Sequence, residues 1–484
     1  MDRKLFVNYF YNILYQVVTI LVPLITVPYT TRIIGDTGLG VNAFSSSVVQ
    51  WFTIFGIMGI NTYGIRTIGA IRDNKDDLST AFHEIFCMQI INLIIMFTFY
   101  IIFIYIYPFE YKQIYFIQGI TLFSTMFDIT WFFLGIEEFK IASLRNIIIK
   151  IVGIILIFSF VKSKDDLAIF VIINVVTSLF GQAIMFSQLS KYIHPVKISI
   201  KSAYQNHFKQ NMILFVPQIA TSVYNVLDQT LVGVLAIDWE AQSAFYQQTI
   251  RFVKMFMYFI TSIGSVMLPR IANIHKKGDN QKILSYISTT FKLAMYLAVP
   301  MMFGMMSLAP YFIPWFLAEE FSIVGTLVAI TSPIILFISI SNVFGTQYLL
   351  PTGQMSKYSG SVVLGAVVNL ACNLIMIPLF GALGACISIV LAELSVTTIQ
   401  WFFVRKSLIL NVKKNSILLY FVSGAIMAIV VYLIGSYRGA GIVTNFIQII
   451  AGVIIYIGLI TLAKDEFHLT VVAKIKSLLL RRVS

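Results

Sequence analysis

Residues 81–107 read AFHEIFCMQIINLIIMFTFYIIFIYIY, with Glu84 as the one formal charge. At about 1.5 Å per residue, a helix of this length outruns the roughly 30 Å apolar thickness of a bilayer. Basic residues flank it unevenly. Arg66, Arg72 and Lys75 precede it, and Lys112 stands alone in the short segment that follows. Short cytoplasmic loops retain Lys and Arg during insertion, so this run leaves the cytoplasm at its N-terminal end.

Working outward in both directions gives about fourteen such runs. Their approximate limits are 7–33, 41–63, 81–107, 113–134, 141–161, 166–188, 211–236, 243–269, 289–316, 321–347, 360–380, 383–404, 416–435 and 441–463. With the N-terminus inside, 25 of the 34 Lys and Arg fall in cytoplasmic segments. Outer segments hold five: Arg32, Lys112, Lys162, Lys164 and Arg438. Lys150, Arg251, Lys254 and Lys292 lie inside runs. One missed span would reverse every later gap, so the asymmetry also checks the helix count. Trp131, Trp239, Trp315 and Trp401 fall near predicted interfaces, where amphipathic rings settle, whereas Trp51 is mid-span.

The composition agrees. The chain is 58% hydrophobic and 11% charged, with a mean hydropathy of +0.87; a soluble domain carries about 25% charged residues. The net charge of +13 is mostly loop bias, which favours anionic lipid heads, and no aromatic–basic platform argues for nucleic acid. The first run extends to about Ile34, too long for a signal-peptide core, and reads as a retained helix. Cys87, Cys372 and Cys386 lie in apolar runs without metal-ligand spacing. No GxxxxGK[ST], HExxH or CxxC occurs, and the five histidines form no cluster, so no cofactor and no metal is expected. Energy for uphill movement must come from an ion gradient, H+ or Na+, or from the substrate's own gradient.

The basic segment 189–210 divides the chain near its middle. A weak repeat spans the division: Val22-Pro23-Leu24-Ile25-Thr26 before Asn42-Ala43-Phe44, and Val216-Pro217-Gln218-Ile219-Ala220-Thr221 before Ser243-Ala244-Phe245. Six spans separate the copies, so the halves share orientation, as in transporters built from parallel repeats. The last two spans stand outside the repeat. Pro23, Pro28 and Pro217 are expected to bend their helices.

Several apolar runs carry polar stripes at helical spacing. Span 1 has Thr19, Pro23, Thr26 and Thr30; span 2 has Asn42, Ser46, Gln50 and Thr53; span 4 has Gln118, Thr121, Thr125 and Asp128. Gln218, Ser222, Asn225 and Gln229 lie on span 7, Gln247, Arg251, Lys254 and Tyr258 on span 8, and Glu393, Thr397 and Gln400 on span 12. Such stripes either hydrogen-bond between helices or line a water-filled cavity. Arg251 and Lys254, one turn apart, either suit an anion there or snorkel to the headgroups. Asp228 and Arg251 have matching depths. They either form a permanent pair or a switch that frees Arg251 for substrate.

The chain carries an ordered set of segments. It includes Val22-Pro23-Leu24-Ile25-Thr26-Val27-Pro28-Tyr29, Arg32-Ile33-Ile34-Gly35, Gly59-Ile60-Asn61-Thr62-Tyr63-Gly64-Ile65-Arg66 and Ile71-Arg72-Asp73-Asn74-Lys75. It continues with Asp128-Ile129-Thr130-Trp131, Gly135-Ile136-Glu137-Glu138-Phe139-Lys140, Arg145-Asn146, Tyr224-Asn225-Val226-Leu227-Asp228 and Ile377-Pro378-Leu379-Phe380-Gly381. In these the chain resembles bacterial polysaccharide repeat-unit flippases of the multidrug/oligosaccharidyl-lipid/polysaccharide exporter superfamily. The resemblance implies an all-α polytopic membrane protein with alternating access. It would have one six-helix lobe over 1–205, a second over 206–410, and a C-terminal helix pair with a tail over 411–484. Its implied cargo is undecaprenyl-diphosphate-linked oligosaccharide, carried from the inner to the outer leaflet for capsule or O-antigen assembly. A polysaccharide polymerase and a chain-length regulator are the further partners it suggests. Arg32, Arg66 and Asp228 stand in its motifs, whereas Arg251 and Lys254 come from helical spacing. The expected substrate-binding set is Arg32, Arg66, Arg251, Lys254, Gln50, Gln218, Asn225 and Gln247. The expected coupling or gating acids are Asp228, Glu393 and Asp128. The protein is expected in the bacterial cytoplasmic membrane with both termini inside, and not to be an enzyme. Three rivals stay open: an ion-coupled multidrug antiporter, which should want acids and aromatics in its cavity, a membrane-embedded polymerase, and a passive structural subunit of a synthesis complex.

Overall fold

The computed structural model describes residues 3–408 and 413–483. Some side chains within them, including those of Gln218, Asn225, Pro217 and Tyr258, lie outside the described residues. Among the described residues all regular structure is helical. Ten helices are long and apolar enough to cross a membrane, or eleven when the bent pair Glu319–Thr331 and Pro333–Leu349 counts as one span. The expected fourteen is not established by this count. The first counted run, Leu14–Ile71, itself contains a break. The side chains of two further long helices are incompletely described. No membrane-length helix can leave its backbone polar groups unpaired in hydrocarbon, which is why apolar runs fold this way.

The chain divides into two compact units: residues 1–234 with 238–244, and 235–237 with 245–484. The first unit contains α1 (Arg3–Ile57), α2 (Ile60–Ile71), α3 (Lys75–Ile106), α4 (Lys112–Met126), α5 (Thr130–Gly135), α6 (Phe139–Phe160), α7 (Leu167–Leu189) and α8 (Ile200–Leu235). The non-helical residue inside α1 is Gly35, at φ 77° and ψ −178°. Only glycine adopts that conformation cheaply, and it kinks the chain between the expected spans 1 and 2. Pro23 and Pro28 both sit inside the helix that precedes the kink. Two aromatic clusters hold the unit. Trp131, Phe132 and Phe133 pack with Phe82, Ile60 and Ile68, and Tyr100 and Tyr115 pack with Phe44 and Leu122.

The second unit contains most of α9 (Trp239–Lys276), followed by α10 (Asn280–Phe316), α11 (Ser322–Thr331) and α12 (Pro333–Ser341). A π-helical turn, Asn342–Leu349, leads to α13 (Met355–Phe380) and α14 (Ala382–Val404). Gly381, at φ 55°, makes the turn between those two. Then come α15 (Lys414–Arg438), α16 (Ile442–Leu462) and α17 (Glu466–Val483). Polar residues staple the C-terminal pair to α10. Trp315 donates to Asn445, Asn445 donates to Gln448 at 2.7 Å, and Gln448 donates to the Val431 carbonyl at 2.8 Å. Such bonds are favoured where hydrocarbon offers no competing water.

One interfacial reading fails. Trp131 is 1% exposed and donates to Gln89 at 2.9 Å, so it belongs to the core rather than the headgroup layer. Trp51 has a partner after all: its indole donates to Thr230 at 2.9 Å, joining α1 to α8.

Candidate functional site

Many stripe hydroxyls are occupied by their own helices. Thr26 donates to the Val22 carbonyl, Thr30 to Thr26, Thr53 to Val49 and Thr125 to Thr121, at 2.8–3.0 Å. Back-bonding to the preceding turn satisfies a hydroxyl at no cost in partners. A Thr stripe is therefore weaker evidence of a cavity than its spacing suggested. Amides and charges carry the signal instead.

In the first unit Arg32, Gln50 and Arg66 are exposed on α1 and α2, on separate turns. Arg32 also returns one donor to the Pro28 carbonyl at 3.3 Å. Asp228, on α8, is 2% exposed. Asp128 does not sit within a helix. It occupies the break between α4 and α5, where its carboxylate accepts from the Thr130 amide at 2.9 Å. That is a capping role for an orphan donor.

Sequence reading placed Arg145 among the cytoplasmic loop charges. The structure buries it in α6 at 8% exposure. Its guanidinium donates to Gln182 at 2.8 Å and twice to Asn146, at 2.9 and 3.2 Å, within the electrostatic reach of Asp128 and Tyr15. Gly181 beside it leaves room chiefly for Ile149, whose Cδ1 would lie 2.0 Å from an added Cβ, with the Arg145 side chain next at 3.3 Å. The signal was available, because Arg145-Asn146 and Gln182 interrupt two otherwise apolar runs.

A second buried group joins α2, α3 and α8. His207 Nε2 donates to Glu84 at 2.9 Å, and Tyr63 donates to His207 Nδ1 at 2.6 Å. Asn206 donates to both Glu84 oxygens, at 3.2 and 3.1 Å, and Ser202 adds a further bond. Three side chains donating to one carboxylate explain how a charge is tolerated inside the apolar run 81–107. One turn on, Asn211 is fully buried, and neither of its amide atoms has a hydrogen-bond partner among the described residues.

In the second unit α9 carries Gln247, Arg251 and Lys254 within two turns. Gln247 and Lys254 are half-buried, Arg251 is exposed, and Arg251 approaches the buried Gln248 amide oxygen at 3.4 Å. Glu393 is 8% exposed on α14, on a stripe with Ser388, Thr397 and Gln400; Gln400 donates to Ser361 of α13 at 3.0 Å. On α13 Asn373 donates to Asn369 at 3.1 Å, both fully buried. Among the described residues no group of three His, Cys, Asp or Glu has metal-ligand geometry. Between α10 and the α15–α16 pair runs an apolar groove of about 410 Å³, lined by Phe256, Leu297, Pro300, Met301, Met427 and Val453 among others.

A helical chain with buried charges and an apolar groove has known relatives. Residues 5–275 match the family described as polysaccharide biosynthesis protein. The chain belongs to this family. It is 24% identical over 418 residues to a putative O-antigen transporter of Escherichia coli, covering 83% of this chain and 97% of that one. It is 23% identical to a probable low-salt glycan biosynthesis flippase of Haloferax volcanii, over 54% of each chain. Its fold is similar to that of the lipid II flippase MurJ in an inward closed conformation, with a TM-score of 0.73, 15% identity, and coverage of 94% of this chain and 98% of that one. An inward-facing multidrug resistance transporter of the multidrug/oligosaccharidyl-lipid/polysaccharide exporter superfamily aligns at TM-score 0.58, with 11% identity over 80% of this chain and 98% of the other. The chain is accordingly a multi-pass membrane protein of the polysaccharide biosynthesis family, with a fold similar to these transporters.

Proposed function

We propose that this flippase carries an oligosaccharide joined by diphosphate to undecaprenol from the inner to the outer leaflet of the bacterial cytoplasmic membrane, by alternating access. The observation that carries the substrate assignment is the cationic face of α9, where Arg251 and Lys254 interrupt a membrane-length helix one turn apart. A charge at mid-bilayer costs about 2.5–3.5 kcal/mol on insertion scales, so two cations kept one turn apart on one helix point to a functional role. Diphosphate suits them, because guanidinium and ammonium donors replace the water it sheds. Polar side chains such as Gln50 and Gln247 then hydrogen-bond sugar hydroxyls. Arg32 and Arg66 offer further cations along the route.

The polyprenyl tail presents the opposite problem, since it gains nothing by leaving apolar surroundings. The groove between α10 and α15–α16 accepts it in this reading, with Gly304 and Gly452 keeping the floor open. Glu393 and Asp228 are the acids through which H+ or Na+ would reset the empty carrier, whereas Asp128 has the capping duty described above. The relatives' names, an O-antigen transporter and a glycan flippase, support this choice over a drug antiporter. Deleting the gene and assaying the leaflet position of lipid-linked oligosaccharide tests it. Accumulation on the inner leaflet is expected; normal flipping with unpolymerised units outside would point to an enzyme instead.

A further inference from the structure

We propose that the second unit holds a phosphate-binding site beside Lys292, separate from the transport route, and that its occupant is the headgroup of an anionic phospholipid. Lys292 lies just past the third turn of α10 and is half-buried. Its Nζ has no hydrogen-bond or ion-pair partner among the described residues. It lines a cavity of about 330 Å³ with Lys413, Ser416, Tyr420, Glu466 and Phe467.

The place fixes the level in the membrane. The cavity forms where α15 begins, α16 ends and α17 starts, so it lies at the height of the headgroups, and α10 runs about three turns beyond it. The charge asymmetry of the sequence assigns this end to the cytoplasm, whose leaflet is anionic. The walls are rigid. Tyr420 donates to Asp465 at 2.9 Å, the His468 amide donates to the same oxygen at 2.9 Å, and Tyr296 bonds His468 at 3.0 Å. Asp465 is thus satisfied behind Tyr420 and leaves Lys292 facing open space. Lys413 is engaged with Glu466 at 2.5 Å, but both side chains are largely exposed, at 66% and 77%. An exposed pair of this kind is weak, and a phosphate oxygen can displace the carboxylate from Lys413. Leu418, next to the cavity-lining Ile417 on α15, and Leu462 at the end of α16 are 64% and 81% exposed, so the same helix ends offer apolar surface to acyl chains.

Thermal unfolding of the detergent-purified full chain, followed by tryptophan fluorescence, tests this. Dioleoyl-phosphatidylglycerol, dioleoyl-phosphatidylcholine and inorganic phosphate are titrated in turn. Phosphatidylglycerol is expected to stabilise the wild type at concentrations where phosphatidylcholine does not. K292Q should weaken the apparent affinity about tenfold, as loss of one charge-assisted contact implies, and K292R should restore it. E466Q frees Lys413 and removes the competing carboxylate, so it should tighten binding, a gain that a folding defect cannot mimic. K357Q, an exposed lysine elsewhere in the unit, should change nothing. Stabilisation by inorganic phosphate with the same pattern of variants supports the site and identifies a soluble phosphate as occupant. No preference for phosphatidylglycerol or phosphate in the wild type, an unchanged K292Q, or an E466Q that binds no tighter would overturn the proposal. If K292Q does not fold, K292R and E466Q decide.

Discussion

Glu84 is the residue whose account changed most. In the sequence it is one charge in a run of apolar residues; in the structure it is the acceptor for Ser202, Asn206 and His207. Removing one donor from a buried carboxylate leaves an acceptor unsatisfied, at a cost of about 1–3 kcal/mol. H207A should therefore lower the thermal midpoint of the detergent-solubilised protein well below that of an exposed control such as K357Q. Equal midpoints would make the group dispensable. Asp465 gives a pH signature. Burial raises its pKa, but bonds from the His468 and Phe467 amides and from Ser416 and Tyr420 outweigh that, and its carboxyl is held below the usual range. A depressed folded-state pKa means the stabilisation is complete above about pH 4, the unfolded value, and is lost as pH falls through the folded one. Hydrogen exchange at the start of α17 should thus accelerate in acid for the wild type and be fast at neutral pH in D465A. Most such residues were illegible in advance, because their partners are distant in sequence. Arg145 and Gln182 are 37 positions apart, Glu84 and His207 123.

At the scale of elements, helix existence was readable because apolar runs of this length have one stable solution in a bilayer. Their interruptions were not all readable. The prolines of the first span, Pro23 and Pro28, stand inside helix, whereas the non-helical residue is Gly35, which no sequence signal singles out. Close approach is equally invisible in sequence. A Cβ on Gly40 of α1 would fall 1.6 Å from the Glu240 carbonyl oxygen at the start of α9, a backbone atom that cannot rotate away. G40A should therefore force the start of α9 off α1 and lower the yield of folded protein, measured by size-exclusion of a fluorescent fusion, whereas an alanine at Gly153, which has open space, should not. Gly304 tests the groove in the opposite sense. Its nearest neighbour for a Cβ is the Met427 methyl at 3.8 Å, so a large residue is accommodated by filling the groove. G304F should keep its thermal midpoint and lose transport in a complementation assay; full transport would remove the groove from the polyprenyl path.

For the whole molecule, the apolar runs and the ordered motifs led to an all-α polytopic protein resembling polysaccharide flippases, and the helices and the match to the polysaccharide biosynthesis family bear out that fold and family. What they left open is which polar groups meet substrate. Period alone cannot separate a Thr bonded to its own helix from an amide facing water, as Thr26 and Gln50 illustrate. The central claim is that Arg251 and Lys254 stand in for the hydration of a diphosphate. It is tested by reconstituting the full chain into liposomes with undecaprenyl-diphosphate-linked oligosaccharide and following its arrival in the opposite leaflet. Losing one charged contact is worth about 1.5–3 kcal/mol, or roughly ten- to a hundredfold in affinity. Initial rates at subsaturating substrate should fall by about that factor in R251Q and in K254Q, with R251K recovering part of it. Wild-type rates in both neutral variants, with the proteins folded, would contradict the account.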